Sequence, residues 1–486
     1  MTTGDARSAR TVGLLAGPAA CAALLVAPPI GGMPPEAQAV AGVVAWMAIW
    51  WLSEAVPIPA TALLPIVLLP LLSSLSIGDV TRRYGDNVIF LFLGGFILSI
   101  AVQKYGLHRR MAMLVLRRTG STPRRMVLGF MLATGLLSMW FSNSATAIMM
   151  VPVAAAAIVQ LPRLQGDGRA GAVTLAGALM LAIAYGATIG GLATIIGSPP
   201  NAIFVGYARQ ALGADITFLQ WMLFGVPLAI VTGALAYVYL TRIAFRSVMS
   251  AHDGGLTLPA APDEPMAPPE RRVLMVFALV ALGWLVRGVL DGAPGLATLS
   301  DAGIAITGAV ALFALPAHGS GGERLLDWDD LAGLPWGILV LFGGGLALAG
   351  AVQSSGLASW IASGAGALQG LSPVLVLAAV ALVIVFLTEI TSNTATASVF
   401  MPIVAAFAVA ASFHPFMLMM IASTAASCAF MLPVATPPNA VVFASGRITI
   451  GTMARAGFAL NLMLIPVLAF AAAYVLPLVW PIMGPR

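Results

Sequence analysis

The chain has 486 residues, of which 23 are Lys or Arg and 18 are Asp or Glu. Charged types thus make up 8%, against roughly 25% in a soluble domain, while 60% are apolar and the mean hydropathy is +0.99. This excludes a soluble enzyme, a nucleic-acid binder and a disordered scaffold. The continuous apolar runs also exclude an alternating β-barrel, leaving an all-α polytopic membrane protein.

In chain order, Met1–Arg10 is polar and carries Arg7 and Arg10. The apolar run after it reads as a retained first span rather than a cleaved signal, so 1–37 forms an N-terminal segment. Apolar length and polar punctuation predict crossings near 11–30, 38–53, 55–75, 87–106, 172–206, 219–244, 272–291, 301–316, 335–354, 413–446 and 456–482. Two further apolar segments, 126–160 and 373–411, are interrupted near their middles by polar residues and read as re-entrant hairpins. The stretch 247–271 is polar and reads as a cytoplasmic linker between a first repeat, 38–246, and a second, 272–486.

The basic residues test that layout. With the N-terminus in the cytoplasm, Arg82, Arg83, Arg209, Arg287 and Arg486 fall outside, and the remaining eighteen of the 23 fall inside. This asymmetry follows the positive-inside rule and places the C-terminus outside. Reading the first hairpin as one crossing would invert every later assignment and shrink the bias. An Arg-rich, Ala-rich composition with Lys104 as the single lysine points to a high-GC bacterial genome and hence to a bacterial cytoplasmic (inner) membrane.

The two halves repeat each other. Phe92-Leu93-Gly94-Gly95 matches Phe342-Gly343-Gly344-Gly345, and Gly106-Leu107 matches Gly356-Leu357. Ser142-Asn143-Ser144-Ala145-Thr146-Ala147 matches Ser392-Asn393-Thr394-Ala395-Thr396-Ala397, all at an offset of 250 residues. After a slip, Ser198-Pro199-Pro200-Asn201 matches Thr436-Pro437-Pro438-Asn439 at an offset of 238. An odd number of crossings between matching spans makes the repeats inverted. Broken helices at matching places in inverted repeats point to a secondary transporter with its site at the repeat interface.

The Ser-Asn triplets lie inside apolar segments, where lipid offers no hydrogen-bond partner. At a hairpin tip, helix N-termini favour anions, while freed carbonyls and Ser, Thr and Asn oxygens favour small hard cations. Helix glue is the ordinary alternative for such residues, and the paired occurrence argues against it. The Pro-Pro pairs force the helix to unwind, because proline has no N–H to donate; a plain kink is the alternative there. Glu389 is the one acid in either hairpin, and its counterpart is Met139. It reads either as a group near a coupling cation or as a structural hydrogen-bonding group. Glu54 reads as interfacial, Lys104 and His108 as snorkelling at the cytoplasmic edge, and His252, His318 and His414 as loop or span-end residues. Cys21 and Cys428 both sit in apolar stretches and suggest neither a disulfide framework nor a metal cluster.

No Lys, Arg or His occurs within 126–160 or 373–413. An anion held at these tips therefore meets no side-chain cation, and helix dipoles supply only about half a charge each. Co-bound cations would supply the rest, which fits cation-coupled anion uptake.

Leu137-Ser138-Met139-Trp140-Phe141-Ser142-Asn143, the second Ser392-Asn393-Thr394 and the two Pro-Pro-Asn loops resemble the divalent anion/sodium symporter family, in its bacterial dicarboxylate branch of the INDY type. The resemblance spans about residues 40 to 480. It implies eleven helices and two hairpins, a homodimer, elevator movement, and Na⁺-coupled uptake of di- or tricarboxylates such as succinate, malate or fumarate. One Na⁺ site would use Ser138, Ser142, Asn143 and the Gly197 carbonyl; the other would use Thr388, Ser392, Asn393 and the Ala435 carbonyl. Substrate carboxylates would meet Asn143, Ser144, Asn393 and Thr394, with Ser198, Thr436 and Pro437 nearby. The family motif is Ser-Asn-Thr twice; here the first copy ends in Ser144, which keeps the hydroxyl. No further cofactor is implied.

Other readings stay within reach of distinct observations. A sulfate carrier or a Na⁺-independent exchanger would use the same architecture. An intramembrane enzyme would need a nucleophile–base pair or a metal motif inside a span, and the sequence has no H-E-x-x-H. A passive channel fits broken inverted repeats less well than alternating access.

Overall fold

The computed structural model describes residues 3–159, 168–250, 265–290, 299–318, 323–364 and 370–480. Most of the linker, residues 251–264, lies outside the described residues, as do Arg163 and Arg486 of the basic-residue assignment.

The described chain is helical. Its first part holds α1 (Thr3–Val26), α2 (Pro35–Ser53), α3 (Ile58–Thr61), α4 (Leu64–Leu72), α5 (Ile77–Thr81), α6 (Asn87–Lys104) and α7 (Leu107–Thr119). Then come α8 (Pro123–Ser138), α9 (Asn143–Val159), α10 (Gly168–Gly191), α11 (Pro199–Leu212), α12 (Phe218–Tyr239) and α13 (Arg246–Ser250). The second part holds α14 (Pro268–Val289), α15 (Asp301–Ala314), α16 (Trp336–Ser354), α17 (Leu357–Gly364), α18 (Pro373–Thr388) and α19 (Asn393–Ala410). It closes with α20 (Pro415–Ser427), α21 (Pro437–Ala444), α22 (Ile450–Phe470) and α23 (Leu476–Val479). Many of these start on proline, whose fixed φ suits the first helical position and whose missing N–H costs nothing there. Among the described residues, six helical stretches are long and apolar enough to cross a membrane, Asn393–Ala410 among them.

Each expected crossing is occupied by helix, but several are broken. The expected crossing at 172–206 is α10 followed by α11, and the one at 413–446 is α20 followed by α21. The apolar segments 126–160 and 373–411 are the pairs α8/α9 and α18/α19, each interrupted at its Ser-Asn motif. Hydropathy alone misses α7 and α17, both too short and amphipathic to register as spans. They begin at Leu107 and Leu357, again 250 residues apart, after Gly106 (φ +69°) and Gly356 (φ +81°). Both glycines adopt a left-handed backbone that side chains resist.

Packing positions the breaks. α8 and α10 meet backbone to backbone: a Cβ on Gly190 would lie 2.2 Å from the Gly135 carbonyl, and one on Gly186 2.7 Å from that of Met131. Small residues permit such close approach where lipid gives helices no hydrophobic drive to associate. A large core runs through α6, α8, α10 and α20, and a separate cluster joins α2 and α4 to α16 through Val40, Trp51, Leu69, Leu341 and Val352. Lys104, expected to snorkel, pairs with an acid at the end of α6: its Nζ is 2.7 Å from Asp330 Oδ2. His108 is half-buried, with Nδ1 3.2 Å from the Val102 carbonyl, and burial pushes its imidazole below the ordinary value. Cys21 and Cys428 are buried and free.

Candidate functional site

Both unwound loops are held by the asparagine of their Pro-Pro-Asn motif. Asn201 Nδ2 donates to the carbonyls of Gly191 (2.9 Å) and Thr194 (2.8 Å). Asn439 Nδ2 donates to those of Ala429 (3.1 Å) and Leu432 (3.0 Å). Each asparagine thus satisfies carbonyls that the helix break would leave bare at membrane depth.

These loops and the two Ser-Asn tips line one cavity of about 310 Å³. Ser142, Asn143 and Ser144 reach it from the start of α9, and Ser392, Asn393 and Thr394 from the start of α19. Gly197, Ser198, Ala435, Thr436 and Pro437 reach it from the loops. Ser138 and Thr388 are absent from the lining; both are fully buried behind the tips. Ser138 Oγ donates to Asn143 Oδ1 (2.5 Å), and Thr388 Oγ1 donates to Asn393 Oδ1 (2.7 Å). Every residue assigned from the sequence therefore falls in one constellation.

The chemistry of the cavity is uneven. Its lining holds no Lys, Arg or His, and its one carboxylate is Glu54. Glu54 is not merely interfacial, as expected: it faces the cavity while lying 3.6 Å from Arg10. Phe92, Phe96, Ile58 and Ile338 supply apolar wall that the sequence reading did not assign. Helix starts at α9 and α19 present backbone N–H groups. The starts of α11 and α21 present fewer, because their first two residues are prolines.

The first tip is tied to its loop by the Asn143 amide. Its nitrogen, with the amide turned to satisfy its neighbours, donates to the Gly197 carbonyl (3.0 Å), the Ala187 carbonyl (3.1 Å) and Ser138 Oγ (2.5 Å). A Cβ on Gly191 would lie 2.7 Å from the Asn143 amide and 2.8 Å from the Gly197 carbonyl, so this contact needs a residue 191 without a side chain. Neutral hydroxyl, amide and carbonyl oxygens are the donor set that hard cations take. At the second tip Thr388 Oγ1 also donates to the Ala426 carbonyl (2.8 Å), and the buried Asn439 Oδ1 has no hydrogen-bond partner.

The tips differ in their surroundings. Trp140, two residues before Ser142, stacks on Phe218 at 5.9 Å, and Phe218 on Trp284 at 4.4 Å, so aromatic rings pack beside the first tip. Its counterpart Ile390 is 66% exposed and lines the cavity. Away from the cavity lining, Arg209 pairs with Asp86, Gln210 Nε2 donates to Asp86 Oδ2 (2.9 Å), and Arg83 donates to Gln210.

The family profile described as sodium:sulfate symporter transmembrane region matches residues 8–481. The chain is 41% identical over 480 residues to the sodium-dependent dicarboxylate transporter SdcS of Staphylococcus saprophyticus, covering 97% of this chain and 92% of the relative. It is 42% identical over 454 residues to SdcS of Staphylococcus aureus strain RF122, covering 92% and 87%. Among solved structures, the Alcanivorax borkumensis YdaH transporter superposes with a TM-score of 0.58 at 17% identity, covering 91% of this chain and 99% of that one. That likeness concerns the fold alone.

Proposed function

The chain belongs to the sodium:sulfate symporter family, and on that premise we propose that it imports dicarboxylate anions of the succinate, malate and fumarate class, coupled to Na⁺. It is a transporter, not an enzyme, and Na⁺ is its coupling ion. The observation that carries the substrate reading is the single cavity shared by both Ser-Asn tips and both Pro-Pro loops, built of hydroxyls and amides without a cationic side chain.

Asn143, Ser144, Asn393 and Thr394 hydrogen-bond the two carboxylates, with Ser198, Thr436 and Pro437 beside them. The spacing of two tips across one cavity suits an anion with a charge at each end. Na⁺ is held by Ser138, Ser142, Asn143 and the Gly197 carbonyl on one side. On the other it is held by Thr388, Ser392, Asn393 and the Ala435 carbonyl. These ions supply the positive charge that the side chains do not, in surroundings where an uncompensated dianion would be costly. Coupling follows: anion binding needs the cations, and the cations lose a partner without the anion.

The 250- and 238-residue correspondences support two inverted repeats, 38–246 and 272–486, with α8/α9 and α18/α19 as re-entrant hairpins. The unequal exposure of Ile196 (7%) and Val434 (73%), at corresponding places in the two loops, supports alternating access by movement of the tip-bearing helices against the rest, in the manner of an elevator. The basic-residue distribution supports a bacterial inner-membrane protein with its N-terminus in the cytoplasm and C-terminus outside. A homodimer is the proposed assembly.

Uptake of labelled succinate into proteoliposomes tests this reading, with an inward Na⁺ gradient or choline in its place, and with sulfate and citrate as competitors. Uptake that requires Na⁺ and is competed by other dicarboxylates is the expected result. Succinate uptake indifferent to Na⁺ would overturn coupling, and sulfate uptake in preference to succinate would overturn the substrate class.

A further inference from the structure

Glu389 is the feature that the proposed transport scheme leaves without a role. It is 2% exposed and follows directly on Thr388. Its Oε1 accepts from the backbone N–H of Phe430 (2.7 Å) and Met431 (3.0 Å) and from Asn461 Nδ2 (2.7 Å). Its Oε2 accepts from the N–H of Met431 (3.1 Å) and Leu432 (3.1 Å). Each of these partners is a donor, which is the environment of an ionised carboxylate rather than a protonated one. Among the described residues no ion pair reaches it.

The first half lacks this charge. At the position of Glu389 stands Met139, whose backbone carbonyl accepts from Thr194 Oγ1. The same hydroxyl accepts from the Gly197 N–H (3.1 Å), so neutral bonds hold the first loop. The two cation sites share a plan: a hydroxyl (Ser138 or Thr388), a tip asparagine, a loop carbonyl, and a Pro-Pro-Asn clamp behind it. Their neutral hydrogen bonds differ in detail, but their one difference in charge, among the described residues, is the buried carboxylate beside the second.

We propose that Glu389 makes the two sites unequal: the site of Thr388, Ser392, Asn393 and Ala435 binds Na⁺ more tightly and fills first. It acts as a positioning residue. Its carboxylate fixes the backbone of 430–432, and hence the loop that presents the Ala435 carbonyl. It also adds a negative potential in a low-dielectric region, where such a charge is little screened. An Na⁺ arriving there offsets a charge the fold already holds. An Na⁺ at the first site has no such charge to offset, so its occupancy leans on the incoming anion. The inference rests on the cation-site assignment above.

Equilibrium binding of ²²Na⁺ to the purified full chain, without any anion, tests it. The wild type should give two phases. Thr388→Ala should remove the tighter phase and Ser138→Ala the weaker one. Glu389→Gln should weaken the tighter phase at least about tenfold and leave the other in place. The inference is overturned if Ser138→Ala removes the tight phase, if the wild type shows two equal sites, or if a folded Glu389→Gln shifts both phases equally or neither. If Glu389→Gln does not fold, the Ser138 and Thr388 variants still decide which site is tighter. If neither alanine variant alters Na⁺ binding, the site assignment itself fails and this inference falls with it.

Discussion

Ile196 and Val434 stand at equivalent places in the two unwound loops, 238 residues apart, yet Ile196 is 7% exposed and Val434 73%. Both line the same cavity, which is thus open along one loop and closed along the other. A thiol-reactive reagent should therefore label Val434→Cys much faster than Ile196→Cys, by at least about tenfold, in protein without substrate. Equal labelling would mean that the cavity has no sidedness.

The pair Asp86–Arg209 joins the start of α6 to the end of α11. The carboxylate is nearly buried, and Gln210 completes its hydrogen bonding. Removing the charge with Asp86→Asn leaves Arg209 without its partner. If this contact holds the observed arrangement, labelling of Val434→Cys should fall and that of Ile196→Cys should rise in the Asp86→Asn background. Unchanged labelling at both positions would show that the pair does not bias the equilibrium.

Asn143→Ala and Asn393→Ala should each abolish succinate uptake while leaving the protein inserted and monodisperse. Each removes an amide that lines the cavity and meets the buried hydroxyl of Ser138 or Thr388. Wild-type uptake in both variants would refute the site.

Gly191→Ala should abolish Na⁺-dependent uptake although it adds a single methyl. That methyl would lie 2.7 Å from Asn143 Oδ1 and 2.8 Å from the Gly197 carbonyl, against two groups of the proposed first Na⁺ site. Size-exclusion behaviour and Na⁺ binding measured together distinguish a blocked Na⁺ site from a general folding defect.

Asn201→Ala and Asn439→Ala should lower stability, since each strips two carbonyls of a buried donor. Leaving a buried polar group unpaired costs about 1–3 kcal/mol. Thermal unfolding in detergent should show a clear drop for each variant, and an unchanged midpoint would mean that other groups satisfy those carbonyls.

The places where the chain breaks are legible in the residues themselves. Pro199-Pro200 and Pro437-Pro438 cannot continue a helix because the missing N–H is a covalent fact, local to the residue. Ser142-Asn143 and Ser392-Asn393 stand out because polar groups inside an apolar run must find partners wherever the chain goes. The repeat offsets were legible for the same reason, and they carried the match between α7 and α17 at Gly106 and Gly356. Hydropathy missed those two helices because a short amphipathic helix leaves no apolar run.

Which residues meet is set by long-range packing. Nothing near Glu389 in sequence announces Phe430, Met431, Leu432 or Asn461 as its partners. Nothing near Glu54 places it on the cavity wall, and Lys104 finds Asp330 across 226 residues. The difference between Ile196 and Val434 is the clearest case. Both are aliphatic, both precede corresponding Pro-Pro turns, and no local rule separates them. Their exposure is fixed by how the tip-bearing helices pack against the rest of the molecule, a property of the assembled fold rather than of either loop.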